Sequence, residues 1–182
     1  MGISARHMRD AHGVVPSQRT SPDQTPRPTV RTPDPAELMW LEEARELLRG
    51  PGIDLTDVQW LGTQLDTLMA SWHTCPPAQR WNRVPTTTAL GIAAGDAVIA
   101  RVPGLQWVCV PDTAGPRFAL AHPATTAVAH PIEAVDEIWT TGGAGLLPEL
   151  VDGIAARALH QITPPVEPAL FTGALRLLGL RR

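Results

Sequence analysis

The chain contains no lysine and no tyrosine, and only two cysteines and two phenylalanines. No apolar run approaches the ~18 residues a membrane-spanning helix needs, so no span is expected. All fifteen basic residues are arginine, and Ala, Pro, Gly and Thr are abundant. That usage is of a GC-rich bacterial, actinobacterial type; it bears on origin and carries no function. Basic residues form no run and the formal net charge is −3, which removes the broad electrostatic case for a nucleic-acid partner. Residues 1–33 lack the apolar stretch of a secretory signal, and Arg6 stands where a myristoylation signal requires Ser or Thr. Cys75 and Cys109 are therefore expected as reduced thiols in the cytoplasm, not as a disulfide.

What is present is enough for one core: 182 residues, 43% of them apolar, suit one domain plus a tail. Residues 1–33 carry five arginines and five prolines with almost no periodic apolar positions, the signature of a disordered arm. Residues 34–160 read as a single α+β domain. It opens at Asp34, Pro35 and Glu37, which supply an N-cap carboxylate, proline at the first helical position and the glutamate of a capping box. Leu38, Leu41, Ala44, Leu47 and Leu48 mark one face of that helix, and Gly50-Pro51 stops it. A second helix starts near Thr56 with Val58, Leu61, Leu65, Leu68 and Trp72 at spacings of three and four, forming an antiparallel pair with the first.

Residues 86–139 are the part around which the rest is arranged. A helix over 86–102 carries Gly91 and Gly95. Two glycines inside a helix cost about 2 kcal/mol against alanine, so close packing on the sheet is the expected return. Residues 105–110 are apolar on both faces, residues 117–122 read as an antiparallel partner, and residues 125–129 add a third strand. Pro131 and Pro148 then open closing helices, the second burying Leu147, Leu150, Val151, Ile154, Ala158 and Leu159. Residues 161–182 form a proline-led linker and an amphipathic helix with Phe171, Leu175 and terminal arginines.

The pattern Leu90-Gly91, Gly95-Asp96, Gly104-x-x-Trp107-Val108-x-Val110, Asp112, Gly115 and Pro131 with Val135 resembles a bacterial domain of unknown function, DUF3806, over about residues 55–159. The resemblance implies an α+β domain found as a small standalone protein and implies no established reaction.

Chemistry is sparse. His73, Cys75, His122 and His130 could in principle gather around zinc, but no Cys-x2-Cys or His-x3-His spacing supports it, and no metal or cofactor is expected. Cys75 or Ser71 beside His73 is the one local arrangement for a hydrolase-type nucleophile, without a Gly-x-Ser-x-Gly elbow. Residues 141–145 are glycine-rich but lack the Gly-Lys-Ser/Thr ending of a phosphate loop. No catalytic residue is therefore assigned. Six tryptophans remain, of which Trp81, set between Arg80 and Arg83, has the composition of an interface anchor. The expected function is a protein-binding module, an immunity or accessory factor being one form of it, using Trp81, Arg80, Arg83, Phe171 and Leu175. A Cys/His hydrolase is the alternative.

Overall fold

A computed structural model describes residues 29–112, 115 and 117–162. The expected disordered arm, as far as residue 28, and the expected C-terminal helix with Phe171 and Leu175 lie outside the described residues. Within them the order is α1 (Pro35–Glu46), α2 (Val58–Thr74), α3 (Val84–Ile99), β1 (Gln106–Val110), β2 (Arg117–Ala121), β3 (Val128–Ala129), α4 (Pro131–Thr141) and α5 (Leu146–Ile162), with a short 3-10 turn at Pro77–Gln79. This is the α+β arrangement that periodicity predicts. No described helix is long and apolar enough to cross a membrane.

The capping box at α1 forms as its residues dictate: Asp34 accepts the Glu37 N–H at 2.9 Å, and Glu37 accepts the Asp34 N–H at 2.8 Å. The buried stripe is narrower than the apolar pattern suggests, because Leu41 and Ala44 are buried while Leu38 and Leu47 are exposed. Asp57 is the N-cap of α2, accepting from the Gln59 and Trp60 N–H groups. The expected antiparallel pairing of α1 with α2 is corrected. Helix α1 packs on α3, and α2 packs on α3 and α5, so the two leading helices are joined chiefly through the central one. Their apolar stripes are best satisfied by α3, which is apolar all round.

Helix α3 buries Leu90, Ile92, Ala93, Ala94 and Val98 completely. A helix apolar on every side belongs in the middle of a core, and α3 lies against all four other helices. The expectation that its glycines press on the sheet holds at Gly95 and is corrected at Gly91. A Cβ at Gly91 would lie 2.5 Å from the Ile132 Cα, and one at Gly95 would lie 2.3 Å from the Trp107 indole. The close neighbours are therefore the first turn of α4 and one ring reaching up from β1. Pro131 begins α4 against this stripe, its Cγ 3.1 Å from where a Gly95 Cβ would stand.

The sheet is antiparallel in the order β1-β2-β3, with Trp107 opposite Leu120, Cys109 opposite Phe118 and Leu120 opposite Ala129. Trp107, Leu120, Phe118 and Ala129 face the helical core, whereas Val108, Ala119, Ala121, Val110 and Val128 make a small separate cluster. Alternation along paired strands places these two sets on opposite faces. The outer edge of β1 is met by Arg31, whose N–H and carbonyl exchange hydrogen bonds with Cys109 at 3.0 and 2.8 Å. Arg31 was expected in the arm ending at residue 33; it instead pairs with the domain. Polarity and proline content report a segment's self-sufficiency, and they miss a strand edge that supplies the partner. In α5, Leu147, Val151, Ile154 and Ala155 are buried and Leu159 is exposed.

Candidate functional site

The Cys75-Pro76-Pro77 stop turns the chain so that residues 80–83 return along the end of α2. There the Arg80 guanidinium lies 4.3 Å over the Trp72 ring and donates to the Cys75 and His73 carbonyls at 3.2 and 3.3 Å. Trp72 donates to the Trp81 carbonyl at 2.9 Å, and Trp81 meets the buried Trp139 edge-on with centroids 5.7 Å apart. Arg83 pairs with Asp136 of α4 at 2.7 Å. Arg80, Trp81 and Arg83, neighbours in the chain, thus each have an intramolecular partner. Trp81 keeps 36% of its surface exposed.

His73 turns its Nε2 to the Trp139 carbonyl at 3.1 Å and its ring edge to Trp72. The Cys75 backbone N–H caps α2 on the Ser71 carbonyl. Among the described residues the Cys75 thiol makes no hydrogen bond to His73, so the nucleophile-and-base contact of a hydrolase is not formed here. Nor do three His, Cys, Asp or Glu side chains converge as metal ligands among the described residues. In the glycine-rich loop, the Gly145 N–H donates to the Asp66 carboxylate at 2.9 Å. The amide that could greet a phosphate already holds a protein anion.

Two polar junctions were not foreseen from sequence. Asp96 accepts from Arg45 at 2.6 and 2.9 Å and from the Trp107 indole N–H at 2.9 Å, fastening α1, α3 and β1 to one carboxylate. The Asp96 hydrogen bond raises the Arg45 pKa. The available signal was an aspartate inside an otherwise apolar helix, since a buried carboxylate must find donors. The second junction is at the strand edge. Glu37 accepts from both terminal nitrogens of Arg31 at 2.5 and 2.6 Å and from the Cys109 thiol at 3.3 Å. The Arg31 hydrogen bond, joined by the Asp34 N–H, holds the Glu37 carboxyl down at about 2. Burial, and then the Glu37 carboxylate, push the Cys109 thiol up to about 11. A thiol so protonated is a poor nucleophile.

Two of the concave surfaces among the described residues bear on function. One, of about 410 Å³, runs between α1 and the start of α3 and is lined by Trp40, Glu43, Ala44, Leu47, Asn82, Val84, Pro85 and Thr88. Leu47 is 64%, Val84 57% and Trp40 42% exposed, which is unusual for side chains of this size gathered at one place. Trp40 is held by stacking on Phe118, with centroids 5.0 Å apart and planes within 7°. Glu43, among the described residues, has no ion-pair or hydrogen-bond partner through its side chain. The other surface is a cleft of about 330 Å³ between the end of the sheet and α5, with Leu105, Leu120, Leu150 and Ile154 beside His122, His130, Arg157 and Gln161. His122 is oriented by accepting the Ala124 N–H at Nδ1, 3.1 Å away. His130 precedes α4 without capping it by its side chain.

Residues 78–147 match the family model of a domain of unknown function, DUF3806. The match runs from within the 3-10 turn through α3, the whole sheet and α4 to the start of α5, and is shorter at both ends than the expected residues 55–159. Gly91, Gly95, Asp96, Trp107 and Pro131 all lie inside it, and all take part in the packing of α3 against α4 and β1. No curated protein and no solved structure matches the chain.

Proposed function

We propose that this protein, built around a domain of unknown function, works by binding another protein, and that the groove between α1 and α3 is the docking surface. The observation that supports this reading is the exposure of Leu47, Val84 and Trp40 around one groove. Large apolar side chains gathered at a surface are stabilised by a partner that takes them from water, at about 25 cal/mol per Å². Trp40, stacked on Phe118, loses little side-chain freedom on docking, as an interface anchor should. The unpaired Glu43 among these groups favours a partner segment that presents an apolar side chain next to an arginine or lysine. Trp81 belongs to the same proposal, since it precedes the groove residue Asn82 and is partly exposed. Arg80 and Arg83 enter it through the contacts that hold the Trp81 segment.

Phe171 and Leu175 are proposed as additional partner contacts, their amphipathic spacing being the support. An immunity or accessory role is the form of the proposal that a neighbouring toxin-like gene would favour. The two free cysteines favour a cytoplasmic setting.

The test is affinity capture with the full chain, in wild-type form and as Leu47→Glu, Val84→Glu and Leu175→Glu. A partner held at near-stoichiometric amounts by the wild type, and lost from the two groove variants without change in their melting temperature, is the expected result. A partner retained equally by both groove variants, or none at all, would sink the groove as a docking site. An unchanged Leu175→Glu would remove the tail from the interface.

A further inference from the structure

We propose that the cleft between the sheet and α5 binds a small organic anion with an apolar body, of the medium-chain carboxylate class, and that Arg157 receives the anionic group. The proposal is independent of the groove. Its first support is shape and floor. The cleft has about 330 Å³, which at ~30 Å³ per water-sized group holds roughly eleven such groups, the bulk of an eight-carbon acid. Volumes of this order are at the small end of ligand sites, which combine an apolar lining with a few polar groups that fix orientation. Leu105, Leu120, Leu150 and Ile154 provide that lining.

The second support is the sign of the rim. The ionisable groups lining the cleft are His122, His130 and Arg157, with no aspartate or glutamate among the lining residues. Arg157 is the permanent cation. Its Nε–H donates to the Gly153 carbonyl at 3.2 Å, the residue one helical turn back, which steadies the head group. Its two terminal nitrogens form no hydrogen bond or ion pair with any described residue. Every other arginine from Arg31 to Arg117 bonds a carboxylate or a carbonyl through a terminal nitrogen. The planar fork of donors suits a carboxylate.

His130 also lines the cleft, but its buried Nδ1 is turned toward Glu133, 3.9 Å away, and not toward the space a ligand would fill. A neutral apolar ligand would leave the Arg157 fork unserved, and an inorganic anion would leave the four-residue apolar floor uncovered. An amphipathic anion serves both.

The test titrates the full-length protein with octanoate by isothermal calorimetry, with 1-octanol and inorganic phosphate as comparators. Octanoate is expected to bind one to one, and at least about tenfold more tightly than either comparator, the effect of about 1.4 kcal/mol. Arg157→Gln should weaken octanoate about tenfold and leave octanol unaffected, and Arg157→Lys should recover part of the loss. Ile154→Trp, which fills the floor, should abolish binding; because that residue is buried, its melting curve is recorded alongside, and Leu150→Trp serves if Ile154→Trp fails to fold. No octanoate binding at millimolar concentration would overturn the proposal. So would phosphate binding as tightly as octanoate, or Arg157→Gln binding octanoate like the wild type.

Discussion

One methyl group added at Gly91 would place its carbon 2.5 Å from the Ile132 Cα, 3.2 Å from the Ile132 nitrogen and 3.3 Å from its Cβ. Carbon atoms are at their best separation near 3.5–4.0 Å, so α3 and α4 would have to part by about 1 Å. The nearest obstacle is backbone, and no rotamer change relieves it. In an unobstructed helix the same substitution is favourable by about 0.8–1 kcal/mol. Overpacking costs about 1–3 kcal/mol, and the parted helices also loosen the contacts of Val135, Ile138 and Trp139, all buried on α4. Gly91→Ala is therefore expected to destabilise by about 2 kcal/mol after the propensity gain is subtracted. Gly153 in α5 is the internal control, because a Cβ there meets nothing within 4 Å. Gly153→Ala should stabilise by about 0.5–1 kcal/mol. The same chemical change at two helical glycines thus carries opposite signs, with a spread of about 3 kcal/mol. Urea unfolding followed by tryptophan fluorescence reads both, provided the slopes agree with that of the wild type. A Gly91→Ala protein as stable as the wild type would refute the close α3–α4 contact. A Gly153→Ala protein that loses as much as Gly91→Ala would refute the distinction between the two sites.

Asp96→Ala should cost about 3 kcal/mol, because it strands the Trp107 N–H and the Arg45 guanidinium together, and Asp96→Asn about half that, since an amide oxygen can still accept from Trp107. Equal losses in urea unfolding would mean that the Trp107 bond contributes nothing. The Glu37 carboxyl, depressed from 4.5 to about 2 in the folded chain, contributes stability that is full above about 4.5 and is lost as pH falls toward 2. The melting temperature of the wild type should therefore fall more steeply across that window than that of Glu37→Gln, and superimposable profiles would show that the Arg31 pairing has no energetic weight.

Much of the local structure was legible because it is decided by neighbours in the chain. Asp34, Pro35 and Glu37 cap a helix whatever lies around them, since the groups they satisfy are within one turn. Pro131 opens α4 because its fixed φ suits a first helical position. The apolar run at residues 105–110 becomes a strand and Asp57 starts α2 for reasons equally local. The glycines Gly91 and Gly95 signalled close approach, and it exists.

What approaches them could not be read in the same way, because an apolar stripe states that a face is buried without stating against what. Leu38 and Leu47 share the periodicity of Leu41 and yet face water, since α3 is wide enough to cover only part of α1. Arg31 joined the domain because β1 left an edge to pair with. Trp40 with Val84, His130 with Arg157, and Arg45 with Asp96 are separated by twenty-seven to fifty-one positions, and no spacing rule links them. Propensity, capping and alternation act over a few residues, so where the helices and strands begin and which of their faces are apolar is written along the chain. Which apolar side chains stay uncovered and which charges stay unpaired is settled in the folded molecule, because it depends on what the remaining elements are large enough, and near enough, to reach.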